Sequence, residues 1–194
     1  MKLVMSVQPT STAVTLLEAK SYSRVATNDD DALIATLIDS ATDYAEGRTN
    51  RQLCVASYEA TYAHDEIVSF GSFLGWRTAI YGAIKVPKAP LKTIDSIQYE
   101  NSDGTWSNLD STMYRLKWDY DVGIIEFTSD LPDATIKLNY TCGYDSAPSS
   151  IKSWILAKVN TAYEYREHYV NGKVTILDNA TIDQALDRFK VQYL

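Results

Sequence analysis

The spacing of apolar residues along this chain changes twice. Leu33, Ile34, Leu37, Ile38, Ala41, Tyr44 and Ala45 recur every three or four positions, which predicts an amphipathic helix over 29–48. Asp29, Asp30 and Asp31 stand at its start, where the helix dipole favours negative charge, and Arg48 stands near its end. A shorter helix, running to about Val25, is predicted ahead of it. Thr15-Leu16-Leu17-Glu18 has the form of a capping box, in which Thr15 and Glu18 satisfy each other's free backbone donors.

From Cys54 the period drops to two. Cys54, Ala56, Tyr58, Ala60 and Tyr62 alternate with more polar residues, as on a half-buried strand. Shorter segments of the same kind follow at 84–86, 94–100, 105–109, 114–118 and 125–127, and Asp103-Gly104 marks a hairpin because both residues tolerate positive φ. Ala134, Ile136, Leu138, Tyr140 and Cys142 complete another one-sided strand. Helical spacing then returns with Ile151, Trp154, Ile155, Val159, Ala162 and Tyr163, opened by Pro148 and running to about Tyr169. A last amphipathic helix is predicted over 182–193.

This order of elements defines an α+β fold, with a helical core built from the N- and C-terminal helices and an inserted antiparallel β-subdomain. The expected divisions are a flexible arm at 1–12 and one domain at 13–194, in which 13–52 and 146–194 are helical and 53–145 is the β insertion.

Composition narrows the functional classes. The 194 residues carry a formal net charge of −7, and the sequence pI is about 4.8. Grip on nucleic acid comes mainly from Lys and Arg displacing counterions from phosphates, so the balance argues against a DNA-binding protein. No apolar run approaches the ~18 residues of a membrane span, and the first residues lack the basic-then-apolar pattern of a signal peptide. Two cysteines are too few for a disulfide framework, so a cytosolic protein is expected. Fourteen tyrosines add apolar area with a polar tip, which suits strands with one wet face and also suits interfaces.

Candidate chemistry is sparse. His64-Asp65-Glu66 lacks a second ligand motif, and neighbouring strand residues face opposite sides, so no metal site is expected. His168 reads as a helix C-terminal charge. Asp119 with Asp121, and Asp130 with Asp133, could supply paired carboxylates to a hydrolase. They fall at predicted turns, however, where Asp is common for its own reasons. Cys54 and Cys142 share the apolar parity of their strands and read as small buried hydrophobes. Gly71-Ser72-Phe73-Leu74-Gly75 is too weak a pattern for a phosphate cradle. No catalytic residue, cofactor or metal is assigned. The 64–83 segment, long and carrying Phe70, Phe73, Trp76 and Tyr81, is a candidate contact loop for another subunit or a partner ring.

Several stretches, taken in order, resemble the head–tail connector (adaptor, or head-completion) proteins of long-tailed phages and prophages. They are Val14-Thr15-Leu16-Leu17-Glu18-Ala19-Lys20, Asp29-Asp30-Asp31-Ala32-Leu33-Ile34 and Arg48-Thr49-Asn50-Arg51-Gln52-Leu53. Val86-Pro87-Lys88-Ala89-Pro90-Leu91, Ile97-Gln98-Tyr99 and Asp103-Gly104-Thr105 follow. Tyr140-Thr141-Cys142-Gly143-Tyr144, Ile151-Lys152 with Ile155-Leu156, and Tyr163-Glu164-Tyr165-Arg166-Glu167 close the series. The 64–83 loop is longer and more aromatic than the family pattern.

The resemblance implies a non-enzymatic virion protein of the neck, present in the host cytoplasm during assembly. It would form a ring of about twelve subunits beneath the portal, closed by head-to-tail contacts. Its partners would be the portal protein, the next stopper or tail-completion protein, and further copies of itself. Double-stranded DNA would pass through without specific binding. The C-terminal helix would face the portal, with Phe189, Tyr193 and Leu194 as anchors. Competing readings are a stopper or tail-completion protein, an acidic DNA-mimic decoy, and a hydrolase using Asp119 or Asp121.

Overall fold

A computed structural model describes residues 1–67, 82–129, 131, 133–165 and 179–192, with side chains left undescribed at 179–182. The order of elements is β1 (Lys2–Val7), α1 (Leu16–Tyr22), α2 (Asp31–Thr49), β2 (Ala56–Tyr62), β3 (Ala83–Lys85), β4 (Leu91–Glu100) and β5 (Trp106–Asn108). A short 3-10 turn at Ser111–Met113 leads to β6 (Tyr114–Asp119), β7 (Val122–Phe127), β8 (Ile136–Cys142), α3 (Ser149–Glu164) and α4 (Asn179–Asp187). The fold is α+β with antiparallel pairing throughout. Among the described residues no helix is long and apolar enough to cross a membrane.

The chain divides into two compact units. One joins Thr10–Cys54 to Tyr144–Gln192 and holds α1 to α4; the other joins Met1–Pro9 to Val55–Gly143 and holds β1 to β8.

The β unit contains two sheets, ordered β1-β2-β8-β4-β5 and β3-β7-β6. Strict alternation on β2 and β8 sends Ala56, Tyr58, Ala60 and Tyr62, with Ile136, Leu138, Tyr140 and Cys142, into one core. The Tyr58 and Tyr140 rings lie directly across from each other and stack at 5.9 Å, an arrangement that adds to simple area burial. The opposite parity carries hydrogen-bonding side chains: Ser57 meets Thr141 at 3.0 Å, and Asn139 donates to Ser96 at 3.0 Å. Lys137 lies 3.9 Å over the Trp106 ring. This is the one-face-wet pattern of an antiparallel sheet. At the β4–β5 hairpin, Gly104 adopts φ +81° and the Asp103 carboxylate accepts from the Thr105 amide at 2.9 Å.

The N-terminal segment corrects the sequence reading. Residues 2–7 of the expected 1–12 arm form β1, which pairs antiparallel with β2 from Lys2↔Thr61 to Val7↔Ser57 across a bulge after Met5. Leu3 packs on the core of the unit. The pattern hid this because an edge strand buries little: only Leu3 on β1 is even half-buried.

In the helical unit, α1 opens with the expected capping box. Thr15 Oγ1 accepts from the Glu18 amide at 3.2 Å and Glu18 Oε2 accepts from the Thr15 amide at 2.7 Å. The helix ends at Tyr22, three residues before the predicted limit. Ile34, Ile38, Ala41 and Ala45 of α2 pack with Ile151, Trp154, Ile155 and Val159 of α3 in one apolar cluster. The acidic start of α2 does more than complement a dipole. Asp31 pairs with Lys20 at 2.6 Å, and Asp30 accepts from Tyr163 Oη at 2.6 Å. The last helix, expected over 182–193, is observed as Asn179–Asp187.

Candidate functional site

The Arg48–Leu53 stretch, read in sequence as the close of a helix, is the base on which the C-terminal segment rests. Asn50 takes the left-handed conformation at φ 55° and ends α2, a position that suits Asn because its short polar side chain tolerates positive φ. The chain turns there and aims two side chains at residues 189–191. Arg51 Nε donates to the Phe189 carbonyl at 2.5 Å, and its Nη1 donates to Tyr144 Oη at 2.8 Å. Asn50 Nδ2 donates to the Val191 carbonyl at 2.9 Å, and the Val191 amide donates to the Thr49 carbonyl at 2.9 Å. Below the clamp, Glu46 Oε1 accepts from Gln52 Nε2 and the Leu53 amide at 2.9 and 2.8 Å, which holds the turn itself.

A second set of contacts fixes α4. Tyr44 stacks on Trp154 at 5.5 Å with nearly parallel rings, and its hydroxyl donates to Asp183 Oδ2 at 2.7 Å. That bond, with burial behind it, raises the Tyr44 pKa above the usual phenol value. Arg48 pairs with Asp187 at 2.9 Å, and Lys158 approaches Asp183 at 3.8 Å. Leu186 is fully buried. The segment beyond α4 therefore leaves from a fixed base.

The predicted site residues are placed unevenly. Phe189 is half-buried against the helical core, with its carbonyl in the clamp. Tyr193 and Leu194 lie outside the described residues, as do Phe70, Phe73, Trp76 and Tyr81 of the contact loop. Asp130, His168 and the Gly71–Gly75 stretch also lie outside them. His64 is half-buried in a helical turn, Asp119 and Asp133 are exposed, and Asp121 is half-buried. Among the described residues no three His, Cys, Asp or Glu side chains gather to hold a metal. Cys54 and Cys142 are free and buried, one in each unit, and burial pushes the Cys54 thiol up.

Two surfaces escaped the sequence reading. β1 and β6 each lie at the edge of a sheet. Both present apolar side chains: Val4 and Met5 on β1 are 43% and 39% exposed, and Leu116 and Trp118 on β6 are 39% and 51% exposed. Tyr120, at the tip of the β6–β7 hairpin, is 98% exposed and sits at φ 56°. The cue in the sequence was Leu116 and Trp118, whose parity marked a strand but not which sheet the strand would join.

This α+β architecture is that of chains in solved virion necks. The chain is similar to one in the neck of an empty GTA particle computed with C6 symmetry, at 18% identity and a TM-score of 0.73, covering 100% of this chain and 98% of that one. A chain in the virion of a native gene transfer agent (GTA) particle gives 19% identity, a TM-score of 0.73 and the same coverage. One in the neck of a native GTA particle computed with C12 symmetry gives 18%, 0.70 and again 100% and 98%. No curated protein sequence matches the chain. Residues 13–105 match the family of phage gp6-like head-tail connector proteins.

Proposed function

We propose that this protein is a structural connector subunit of a phage or prophage neck. It docks on the portal vertex after DNA packaging as a ring of about twelve copies, extends the DNA channel and seats the next stopper or tail-completion protein. The observation that carries this reading is the connector-family match over 13–105. The full-length likeness in fold to chains of particles whose necks were computed with C6 and C12 symmetry supports it.

The chemistry of the chain agrees with a conduit. A net charge of −7 keeps a passing polyanion from making counterion-releasing contacts. The reading is of a protein without catalytic residues, acting by shape and self-association. A DNA-mimic decoy is less well supported, because acids of the helical unit are engaged within the fold. Glu18, Asp31, Asp183 and Asp187 all meet Lys or Arg side chains.

The clamp supports a portal-facing role for the C-terminus. With Phe189 half-buried and Val191 hydrogen-bonded to Asn50 and Thr49, the last residues, Tyr193 and Leu194, are the portal anchors and Phe189 is their footing. Phe70, Phe73, Trp76 and Tyr81 serve as the contact loop toward a neighbouring subunit or the next ring.

The test is to mix the protein with its cognate portal and examine the product by electron microscopy. Stacked rings are expected from the full chain. A chain ending at Gln192 keeps the clamp and should lose portal binding. Full-length protein that never binds intact portals, yet binds another partner, would end the connector reading. Undiminished binding by the shortened chain would remove the C-terminal assignment alone.

A further inference from the structure

A closed ring built from identical subunits needs two different adhesive patches on each copy, one for each neighbour. Among the described residues, two edge strands of the β unit offer such patches. β1 ends one sheet and β6 ends the other, and both show apolar side chains to solvent. Exposed apolar edge strands are templates for pairing, and natural proteins ordinarily blunt or cover them. The bulge after Met5 leaves Lys2 to Met5 regular and able to pair.

Side-chain parity restricts how the two edges could meet. On β1, Leu3 packs on the core and Met5 lies across from buried Tyr58, so both point to the core side, whereas Lys2 and Val4 point away. On β6, Leu116 lies across from fully buried Ile125, and Trp118 shares its parity. Lys117 and Asp119 take the other parity.

Directly paired residues of one sheet point to the same face. An antiparallel register that places Leu3 across from Trp118 and Met5 across from Leu116 brings Lys2 across from Asp119. Shifting this antiparallel register by two residues toward Tyr114 sets Lys2 against Lys117. The parallel registers that preserve parity set Lys2 against Arg115 or Lys117. Like charges directly opposite are destabilising and opposite charges stabilising, so charge selects the first register.

We infer that β1 of one copy adds to the β6 edge of the next, antiparallel, with Lys2 across from Asp119 and Leu3 and Met5 against Trp118 and Leu116. The inference rests on the connector reading and specifies the ring contact within it. The occupant of each edge is a second copy of this chain. The contact is head-to-tail: each subunit offers β1 to one neighbour and β6 to the other, so the pairing propagates until the ring closes. Backbone hydrogen bonds would supply affinity and the alternating side chains register, as in other strand additions.

The test uses full-length protein on its cognate portal. Val4 and Lys117 lie opposite each other in the register, with Cα atoms close enough for a disulfide. The double variant Val4→Cys/Lys117→Cys should give a ladder of covalent multimers on oxidation, collapsed by reductant. Val4→Cys/Arg115→Cys, two residues out of register, should give none.

Asp119→Lys should raise the protein concentration needed for rings by about tenfold, since a like-charge pair replaces an attractive one. Adding Lys2→Asp to it should restore assembly. Lys2, Val4 and Asp119 are exposed, whereas Lys117 pairs with the buried Glu126 at 2.9 Å, so circular dichroism and a Lys117→Cys single variant check the fold and ring assembly before the ladder is read. Wild-type rings with no in-register ladder would assign the edges to another occupant, the portal or the next connector protein, and overturn the inference while the connector reading stands. Wild-type protein that forms no ring on intact portals would overturn both.

Discussion

Glu18 shows how one side chain can hold an element and join it to another. One carboxylate oxygen accepts from Lys152 at 2.6 Å, and the other closes the capping box on the Thr15 amide. The Lys152 hydrogen bond first, and the Thr15 bonds after it, lower the Glu18 pKa from an ordinary 4.5 to about 2. A depressed carboxyl pKa stabilises the fold fully above the unfolded value, and that contribution is lost as pH falls through the folded one. The start of α1 is therefore expected to stay ordered at pH 5 and to loosen between about pH 4.5 and 2, as followed by amide resonances of residues 15–20. Because the side chain is 39% exposed, solvent screening limits the effect, and Glu18→Gln should cost no more than about 1 kcal/mol. An unchanged acid transition in Glu18→Gln would show that the pair contributes nothing. The capping box was legible because its partners lie three residues apart. The Arg51 clamp was not, since Arg51 and the Phe189 carbonyl are 138 positions apart and no local pattern connects them.

At the scale of elements, alternation and helical spacing located what is buried on one side and missed what is not. β2 and β8 stood out because every second residue enters the core. β1 did not, because Lys2–Val7 sits at an edge and buries little. The β6–β7 hairpin adds a lesson about turns. Tyr120 occupies a left-handed position at φ 56° with its ring in solvent, and a bulky side chain there costs about 1 kcal/mol or more. Tyr120→Gly is accordingly expected to stabilise the isolated subunit by about 1 kcal/mol in denaturant unfolding, reduced somewhat by the greater freedom of glycine in the unfolded chain. Destabilisation instead would mean that the ring contributes contacts worth more than the backbone strain.

For the whole molecule, the two changes of period lie near the switches of unit after Cys54 and Gly143, whereas the switch after Pro9 left no mark in the pattern. Which sheet each short strand joins was beyond the sequence: β4 and β3 are neighbours along the chain yet belong to different sheets. The acidic balance carries a prediction at this scale. In fluorescence anisotropy at about 0.15 M salt, where the Debye length is near 8 Å, duplex DNA should show no saturable binding to the protein. Tight binding that weakens steeply with salt would identify a hidden basic surface and contradict the conduit reading. The helical unit is also assembled from two stretches, Thr10–Cys54 and Tyr144–Gln192, that flank most of the β unit. During translation, α1 and α2 leave the ribosome long before α3 and α4 exist, while nearly all of the strands emerge in between. The helical core cannot close until Tyr144–Gln192 has been made, so α1 and α2 wait for their packing partners while the strands between them are synthesised.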